Sequence, residues 1–237
     1  MNIFFISIQA TYSSASLSLF SNDVCLETAL IGDARASSHL IPHLEALLKK
    51  HVLQLTDLAF IAVDQGPGAF TSLRVSLATV NGIAFGKRVP LVGVDGLDAL
   101  GHDMVKLSAH ASALFVSMLN AYNNDVYYAF YTSNNQVLTT VDRGVKKIEA
   151  VLADLSVHGA TQPVIFAGNG AYLHRDMIYN TLGDGVRFVE PVVSTATSES
   201  IGTLAFKAYQ ETSEIGFKVK PTYMKTQYFA IRASTHQ

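Results

Sequence analysis

The sequence predicts an α/β fold made of two successive halves, and three observations support this prediction. Short apolar runs, as in buried strands, alternate with segments whose apolar residues recur at helical spacing. Each half opens with a β-hairpin pattern. Each half also contains a strand that ends in a glycine turn and is followed by a helix, at Gly66–Gly68 and at Gly168–Gly170.

The first elements lie before residue 50. Residues 3–8 predict a strand rather than a secretion signal, because no basic segment precedes the apolar residues. Alternation of apolar and polar residues over 14–30 predicts a hairpin. The next segment predicts a helix with one apolar stripe, formed by Leu40, Ile41, Leu44, Leu47 and Leu48.

A strand, a glycine turn and a helix form the centre of the first half. The run 58–63 is uniformly apolar, which is typical of a strand buried on both faces. Gly66-Pro67-Gly68 ends this strand, and 70–85 predicts a helix whose buried stripe contains Leu73, Leu77, Val80 and Ala84. Such a turn can present backbone N–H groups to an anion. It matches neither the P-loop nor the GxGxxG pattern, so a phosphate loop and an ordinary turn both remain open.

The rest of the chain continues the alternation. A strand at 89–94 and a helix at 97–107 complete the first half. The second half predicts strands at 113–119, 126–131, 136–141 and 164–167, and helices at 145–155 and about 199–211.

We therefore divide the chain into a half at 1–108, a smaller half at 109–221 and a tail at 222–237, and leave open whether the last helix packs back on the first half. Two halves that each pass from hairpins to alternating strands and helices indicate the actin-like ATPase (ASKHA, ribonuclease H-like) fold. In that fold, phosphate loops of the two halves face each other across a cleft. Candidate loop residues are Gly66, Pro67, Gly68, Gly168, Asn169 and Gly170.

The stretch GPGAFTSLRVSLATVNGIAFGKRVPLVGVDGLDAL resembles a segment of the TsaB-type (YeaZ) proteins that begins with GPGSFTGLRIG. These proteins belong to the apparatus that makes threonylcarbamoyladenosine in tRNA. The resemblance is strong from about residue 58 to 100, although Ala69 and Ser72 depart from it. It implies the same fold and an accessory subunit that activates a TsaD-type threonylcarbamoyltransferase. A TsaE-type ATPase would bind the pair.

Two comparisons with the family lead us to expect no catalytic residue on this chain. TsaB-type proteins usually keep an Asp at the end of the first strand, whereas this chain has Ser7-Ile8-Gln9, which cannot hold hydrated Mg²⁺ as a carboxylate does. The TsaD-type paralogue carries two metal-binding histidines where this chain has Gly96 and Leu100. We expect no tightly bound cofactor, with ATP and metal used by the partners. Weak nucleotide contact at Gly66–Gly68 stays open.

Several polar residues are candidates with competing interpretations. His39 and His43 share a helix face and could chelate a metal, but no third ligand is evident, which favours a surface or partner contact. Asp64 stands at the carboxyl end of a strand, a common catalytic position, yet the family pattern does not require it. His102 and Asp103 lack a recognisable nucleophile and are expected to be solvated.

The resemblance implies that subunits meet through helices of the first half. Ser72 and Ser76 are small and four residues apart, so another helix could approach them closely. Packing against the chain's own neighbouring helix is the alternative, and Ser76→Trp is expected to block association. The expected interface residues are Phe70, Thr71, Ser72, Arg74, Val75, Ser76, Thr79, His39 and His43.

Composition limits the remaining possibilities. The formal net charge is −2 and only the tail is locally basic, so we expect tRNA contact only through the complex. No apolar run reaches the length of a membrane span, and the single cysteine, Cys25, permits no internal disulfide, so a cytoplasmic location is expected. A heterodimer, a heterotetramer and a homodimer all remain open. An independent phosphotransferase or ATPase is the alternative function, and a peptidase is a third.

Overall fold

The computed structural model describes residues 2–32, 39–108, 110, 112–134, 137–158, 162–211 and 215–225, without the side chains of 157 and 158. The strands are β1 Phe4–Gln9, β2 Ala15–Ser21, β3 Val24–Ile31, β4 Leu58–Asp64, β5 Leu91–Val94, β6 Leu114–Asn120, β7 Asp125–Asn134, β8 Val137–Lys147, β9 Val164–Ala167 and β10 Val186–Phe188. The helices are α1 Leu40–Lys50, α2 Phe70–Lys87, α3 Gly96–Leu107, α4 Ile148–His158, α5 Asn169–Leu173, α6 Arg175–Leu182 and α7 Ser198–Glu211.

The strands form two five-stranded sheets with the same topology. The first has the order β3-β2-β1-β4-β5 and the second β8-β7-β6-β9-β10. In each sheet the first three strands in sequence form an antiparallel meander. The fourth strand pairs in parallel with the strand that begins the half, and the fifth pairs in parallel with the fourth. The predicted actin-like α/β fold, with two tandem halves, is therefore confirmed.

Apolar side chains divide the molecule into layers. One core lies between the first sheet and α1 and α2. A second core fills the space between the two sheets, where α3 and α7 pack and where the rings of Phe5, Phe20, Phe60 and Phe206 stack. The third core lies between the second sheet and α4 and α6. The α2 helix therefore lies in the outer layer of the first half, with one face directed away from the sheet.

Three local predictions were wrong. The helix predicted at 145–155 starts only at Ile148, because Val145–Lys147 pair with Asp125–Tyr127 and extend β8. The strand β10 was missed, since three residues with Arg187 in the middle show no period. Ile41 was placed on the apolar stripe of α1, which was expected to face the core, but it is exposed, while the four leucines of that stripe are buried.

The described end of the chain returns to the first half. We call residues 216–225 the strap. The Leu91 N–H in β5 donates to the carbonyl of Gly216, and the Thr222 N–H donates to the carbonyl of Gln65, which follows β4. Lys225 then binds Asp125 at the start of β7. The strap thus connects the two halves. In the part of the chain that the structure describes, no helix is both long and apolar enough to span a membrane.

Candidate functional site

The first glycine turn joins β4 to α2 and packs on the connection between β1 and β2. Gly66 has φ 97°, a conformation that residues with a Cβ rarely adopt. A Cβ on Gly68 would lie 2.7 Å from Thr11 Cβ and 2.8 Å from its carbonyl oxygen. The Ala69 N–H donates to this carbonyl at 2.8 Å. The glycines therefore allow the turn to approach the backbone of the first hairpin closely.

Asp64 stabilises this turn, and only 2% of its surface is exposed to solvent. Its carboxyl accepts hydrogen bonds from the Gly66 N–H at 2.8 Å and from the Thr11 hydroxyl at 3.1 Å. The Gln9 amide donates to the same hydroxyl oxygen. Burial raises the pKa of Asp64 to about 7, against the lowering effect of these hydrogen bonds. The polar side chains near the turn thus form a buried hydrogen-bond network that fixes the shape of the turn.

The second glycine turn follows β9 and leads into the short helix α5. Gly168 has φ 103° and its N–H donates to the carbonyl of Val193 at 2.9 Å. The Asn169 N–H donates to the carbonyl of Ser194 at 2.7 Å. The side-chain oxygen of Asn169 accepts from the Asn120 N–H at 2.8 Å. A neutral amide therefore has here the anchoring role that a carboxyl has in the first turn.

Tyr12 connects the two turns. It is buried, and its hydroxyl donates to the Asn120 carbonyl at 2.8 Å, next to the contact between Asn120 and Asn169. Its neighbour Thr11 accepts from Ala69. The N–H groups of Gly66, Ala69, Gly168 and Asn169 all donate to acceptors of the protein itself. A phosphate that bound to these four N–H groups would have to replace those bonds.

The α2 helix has two apolar faces. One is buried and contains Leu73, Leu77, Val80 and Ala84, as the spacing predicts, together with Ser76. The opposite face is exposed, with Val75 at 38% and Phe85 at 88% of their surface accessible. Ala78, Gly82 and Gly86 lie between and beside them and are also exposed. A Cβ built on Gly82 or Gly86 would meet nothing within 4 Å. The exposed α2 face therefore consists of small and apolar residues.

The expected interface residues do not all belong to this face. Phe70, Thr71, Arg74 and Val75 are exposed, whereas Ser72 and Thr79 are half-buried. Ser76 is fully buried, and its hydroxyl donates to the carbonyl of Leu73 at 3.0 Å. Placing Ser76 on an approachable surface was therefore wrong, because its side chain is buried within the chain. Ser76→Trp would disturb folding rather than test association.

Arg74 is fixed between two aromatic rings at the N-terminal end of the exposed α2 face. Its guanidinium lies 3.6 Å from the ring centre of Phe70 and 5.5 Å from that of Tyr223 in the strap. Its Nε donates to the Tyr223 hydroxyl at 2.8 Å. Further along the helix, the side-chain amide of Asn81 exchanges two hydrogen bonds with the backbone of Val219. The strap therefore borders α2 along much of its length.

The remaining polar candidates have defined places. The ring of His43 hydrogen-bonds through Nδ1 to the carbonyl of His39 at 2.9 Å, and His39 is exposed. Within the described residues, no three His, Cys, Asp or Glu side chains are grouped to hold a metal. Asp103 was expected to be solvated, but it is 5% exposed and accepts from Thr197 and Ser200 at the start of α7. His102 contacts Ser200 as well.

Sequence reasoning named Val75 of the exposed α2 face but missed its other residues, and it missed the strap. The spacing of Val75, Ala78, Gly82 and Phe85 carries the signal for the face, since these residues recur every three or four positions on the side opposite the leucines. The strap contains no regular element apart from one bridge at Gly216, so no periodic pattern marks it.

Comparisons with known proteins agree with this architecture. Residues 33–231 match the family model described as TsaD: tRNA N6-adenosine threonylcarbamoyltransferase. The TsaB protein of Bacillus subtilis, a tRNA threonylcarbamoyladenosine biosynthesis protein, is 28% identical over 149 residues, 62% of each chain. That of Escherichia coli is 26% identical over 129 residues, 53% of this chain and 52% of its own. The chain thus spans about half to under two thirds of the length of these curated relatives.

Structural similarity covers more of the chain than sequence similarity to the curated relatives does. The crystal structure of a Pseudomonas aeruginosa protein with similarity to the peptidase YeaZ superposes with a TM-score of 0.76 and 19% identity, covering 94% of this chain and all of the other. YeaZ from the same organism gives 0.75 and 19%, covering 93% and 99%. At this identity the likeness concerns the fold. With most of its length matched by the family model and several curated relatives bearing the TsaB name, the chain belongs to the TsaD family and, within it, to the TsaB (YeaZ) group.

Proposed function

We propose that this chain is a non-catalytic TsaB-like subunit that binds and activates a TsaD-type threonylcarbamoyltransferase in the formation of threonylcarbamoyladenosine on tRNA. The names of its relatives give the pathway, and the exposed α2 face is the observation that carries the binding role. Exposing a helix face of small and apolar residues to water is unfavourable, and covering that face with a second helix lowers the free energy. By the family pattern, that helix belongs to the TsaD-type partner.

The shape of this face fits a helical partner. Ala78, Gly82 and Gly86 have a small side chain or none, so a second helix can approach the axis of α2 closely. Phe85 and the Phe70–Arg74 stack flank these small residues and can act as anchors, as aromatic and Arg side chains often do in interfaces. Exposed Thr71 and half-buried Ser72, Thr79 and His43 belong to its border, and His39 lies at the start of α1.

The chemistry of the first strand supports a positioning role for this subunit. Gln9 takes the place of the family's carboxylate and its amide is engaged with Thr11, so it offers no strong ligand for Mg²⁺. In this proposal the partners use ATP and the metal, a TsaE-type ATPase binds the pair, and tRNA is held by the complex. This subunit then contributes by orienting the transferase rather than by making bonds.

Association with the TsaD-type protein of the same organism tests the proposal. The two chains would be co-expressed, purified through a tag on the transferase and sized by light scattering, with a one-to-one or two-to-two complex expected. Gly82→Trp should abolish this complex, because the indole would occupy the space in which the partner helix packs. Circular dichroism and thermal melting of the variant alone should match the wild type, since nothing lies within 4 Å of the new Cβ.

Gly185→Trp is the matched control. Gly185 has equally open surroundings but lies in a turn of the second half, before β10. This variant should bind the transferase as the wild type does. Equal binding by Gly82→Trp would move the interface to another face of the chain. Failure of the wild type to bind, even with tRNA, ATP and the TsaE-type protein present, would contradict the subunit role and favour an independent phosphotransferase or ATPase, to be measured as ATP turnover by the purified chain.

A further inference from the structure

A cleft of about 380 Å³ opens between α3, β8 and α7, on the other side of the first sheet from α2. Its wall is apolar and includes Val137, Leu138 and Leu204. Its polar lining comprises Asp98, His102, Tyr131, Thr140, Thr203 and Lys207. This volume is in the range of sites for small molecules, which usually combine apolar side chains with polar groups that fix the orientation of the ligand.

His102 is held at this cleft by a buried relay of hydrogen bonds. The Ser200 hydroxyl donates to Asp103 Oδ1 at 2.5 Å, and Thr197 donates to both oxygens of the same carboxylate. The only proton of the Ser200 hydroxyl is thus used, so at 3.0 Å its oxygen must accept from His102 Nδ1. This leaves His102 Nε2 as an acceptor. It has no partner among the described residues and is not buried, so it is open to the cleft.

The surroundings of His102 favour the neutral form of its imidazole. Burial is the main cause that lowers the pKa of His102, and the charge of Lys106 adds to the effect, whereas Asp103 opposes it. A neutral ring with Nδ1 protonated presents a lone pair at Nε2. It therefore selects a ligand group that donates a hydrogen bond, such as a hydroxyl.

The unpaired charge around the cleft is positive. Asp98 accepts from the Tyr131 hydroxyl at 2.7 Å and from Arg143, so its charge is already compensated. Lys207 lies in the lining and Lys106 is exposed nearby, and neither pairs with a group in the described part of the chain. An anionic ligand group is therefore favoured at Lys207, and a cationic one would find no free carboxylate.

We propose that this cleft binds a small carboxylate that carries a hydroxyl group and a short apolar chain. The carboxylate binds Lys207, the hydroxyl donates to His102 Nε2, and the chain packs on Val137, Leu138 and Leu204. This inference goes beyond the proposed function and does not depend on it, because none of these residues lies on the exposed α2 face.

The test uses 2-hydroxy-4-methylpentanoate as the probe, titrated into the ¹⁵N-labelled full chain and followed by amide shifts in NMR spectra. Saturable shifts are expected at α3 and α7 beside the cleft. Two matched probes each lack one recognition group: 4-methylpentanoate lacks the hydroxyl, and 2-hydroxy-4-methylpentanamide lacks the charge. Each should bind about tenfold more weakly than the hydroxy acid, the loss expected for one hydrogen bond that involves a charged or buried group.

Two variants assign these losses to residues. Lys207→Met should weaken the hydroxy acid about tenfold and leave the amide probe unchanged, whereas the exposed Lys87→Met on α2 should have no effect. His102→Phe should make the hydroxy acid and 4-methylpentanoate bind equally. Lys207 is exposed, so its variant retains the fold even if His102→Phe does not. Absence of saturable shifts, or shifts that persist unchanged in Lys207→Met, would overturn the proposal.

Discussion

The two glycine turns occupy equivalent places in two sheets of identical topology, yet they lead to different surfaces. The first, after β4, begins an 18-residue helix with a buried and an exposed apolar face. The second, after β9, begins a five-residue helix that packs beside β6 and β9. The turn alone therefore does not create an exposed apolar face. Of the two helices that follow these turns, only the one in the first half is long enough and has a second, exposed apolar face.

The turns also differ in what anchors them. The buried carboxyl of Asp64 accepts from the first turn, while the neutral side chain of Asn169 links the second turn to β6. An ionisable anchor makes the stability of one half depend on pH, and an amide does not. This difference between the halves can be measured.

The largest expected effect is the pH dependence caused by Asp64. Its pKa is about 7 in the folded chain and about 3.8 when solvated, so between these values the folded state holds a proton that the unfolded state has lost. The contribution of Asp64 to stability is therefore greatest at low pH, falls by about 1.4 kcal/mol per pH unit as pH rises through this window, and levels off above pH 7. The total is on the order of 4 kcal/mol.

Asp64→Asn should remove this dependence, which urea unfolding at several pH values would reveal. Burial also raises the pKa of Asp95 and Asp103, so the quantity to compare is the difference in free energy of unfolding between wild type and variant at each pH. The exposed Asp23→Asn serves as the control and should follow the wild-type curve. Parallel curves for wild type and Asp64→Asn would show that this carboxyl ionises normally.

A second comparison replaces the equivalent glycine of each turn by alanine. Gly66 and Gly168 have similar positive φ values, 97° and 103°, so the conformational cost is shared. A Cβ at position 66 would lie 2.9 Å from the end of the Leu73 side chain, and this side chain can rotate away. A Cβ at position 168 would overlap the carbonyl oxygen of Met118 in β6, which is part of the backbone. Gly168→Ala should cost about 3 kcal/mol and Gly66→Ala about 1 to 2 kcal/mol, measured by thermal unfolding. Equal losses of stability in the two variants would mean that the backbone of β6 shifts as easily as the Leu73 side chain rotates.

Sequence patterns predicted the fold because hydrophobic spacing reports which residues face a core. The buried stripe of α2 and the strand β9 lie where the pattern places them. The same reasoning placed Ser76 on a partner surface, because a small polar residue has no preference strong enough to show which neighbour covers it. Asp103 was expected in solvent because its partners, Thr197 and Ser200, lie nearly 100 residues away in the chain. Such long-range hydrogen bonds leave no local pattern.

The smallest expected effect concerns the bond that joins the two turns. Tyr12→Phe keeps the ring but removes the hydroxyl that donates to the Asn120 carbonyl, so the free energy of unfolding should fall by about 1 kcal/mol. Since Asn120 also contacts Asn169, hydrogen exchange of the Asn120 amide should become faster than that of Ala69, whose own bond to Thr11 is unchanged. Equal acceleration at both amides would mean that the turns open as one unit. Acceleration at Asn120 alone would show that the halves are coupled through Tyr12 yet keep separate local stabilities, as expected if only the first half is specialised for a partner.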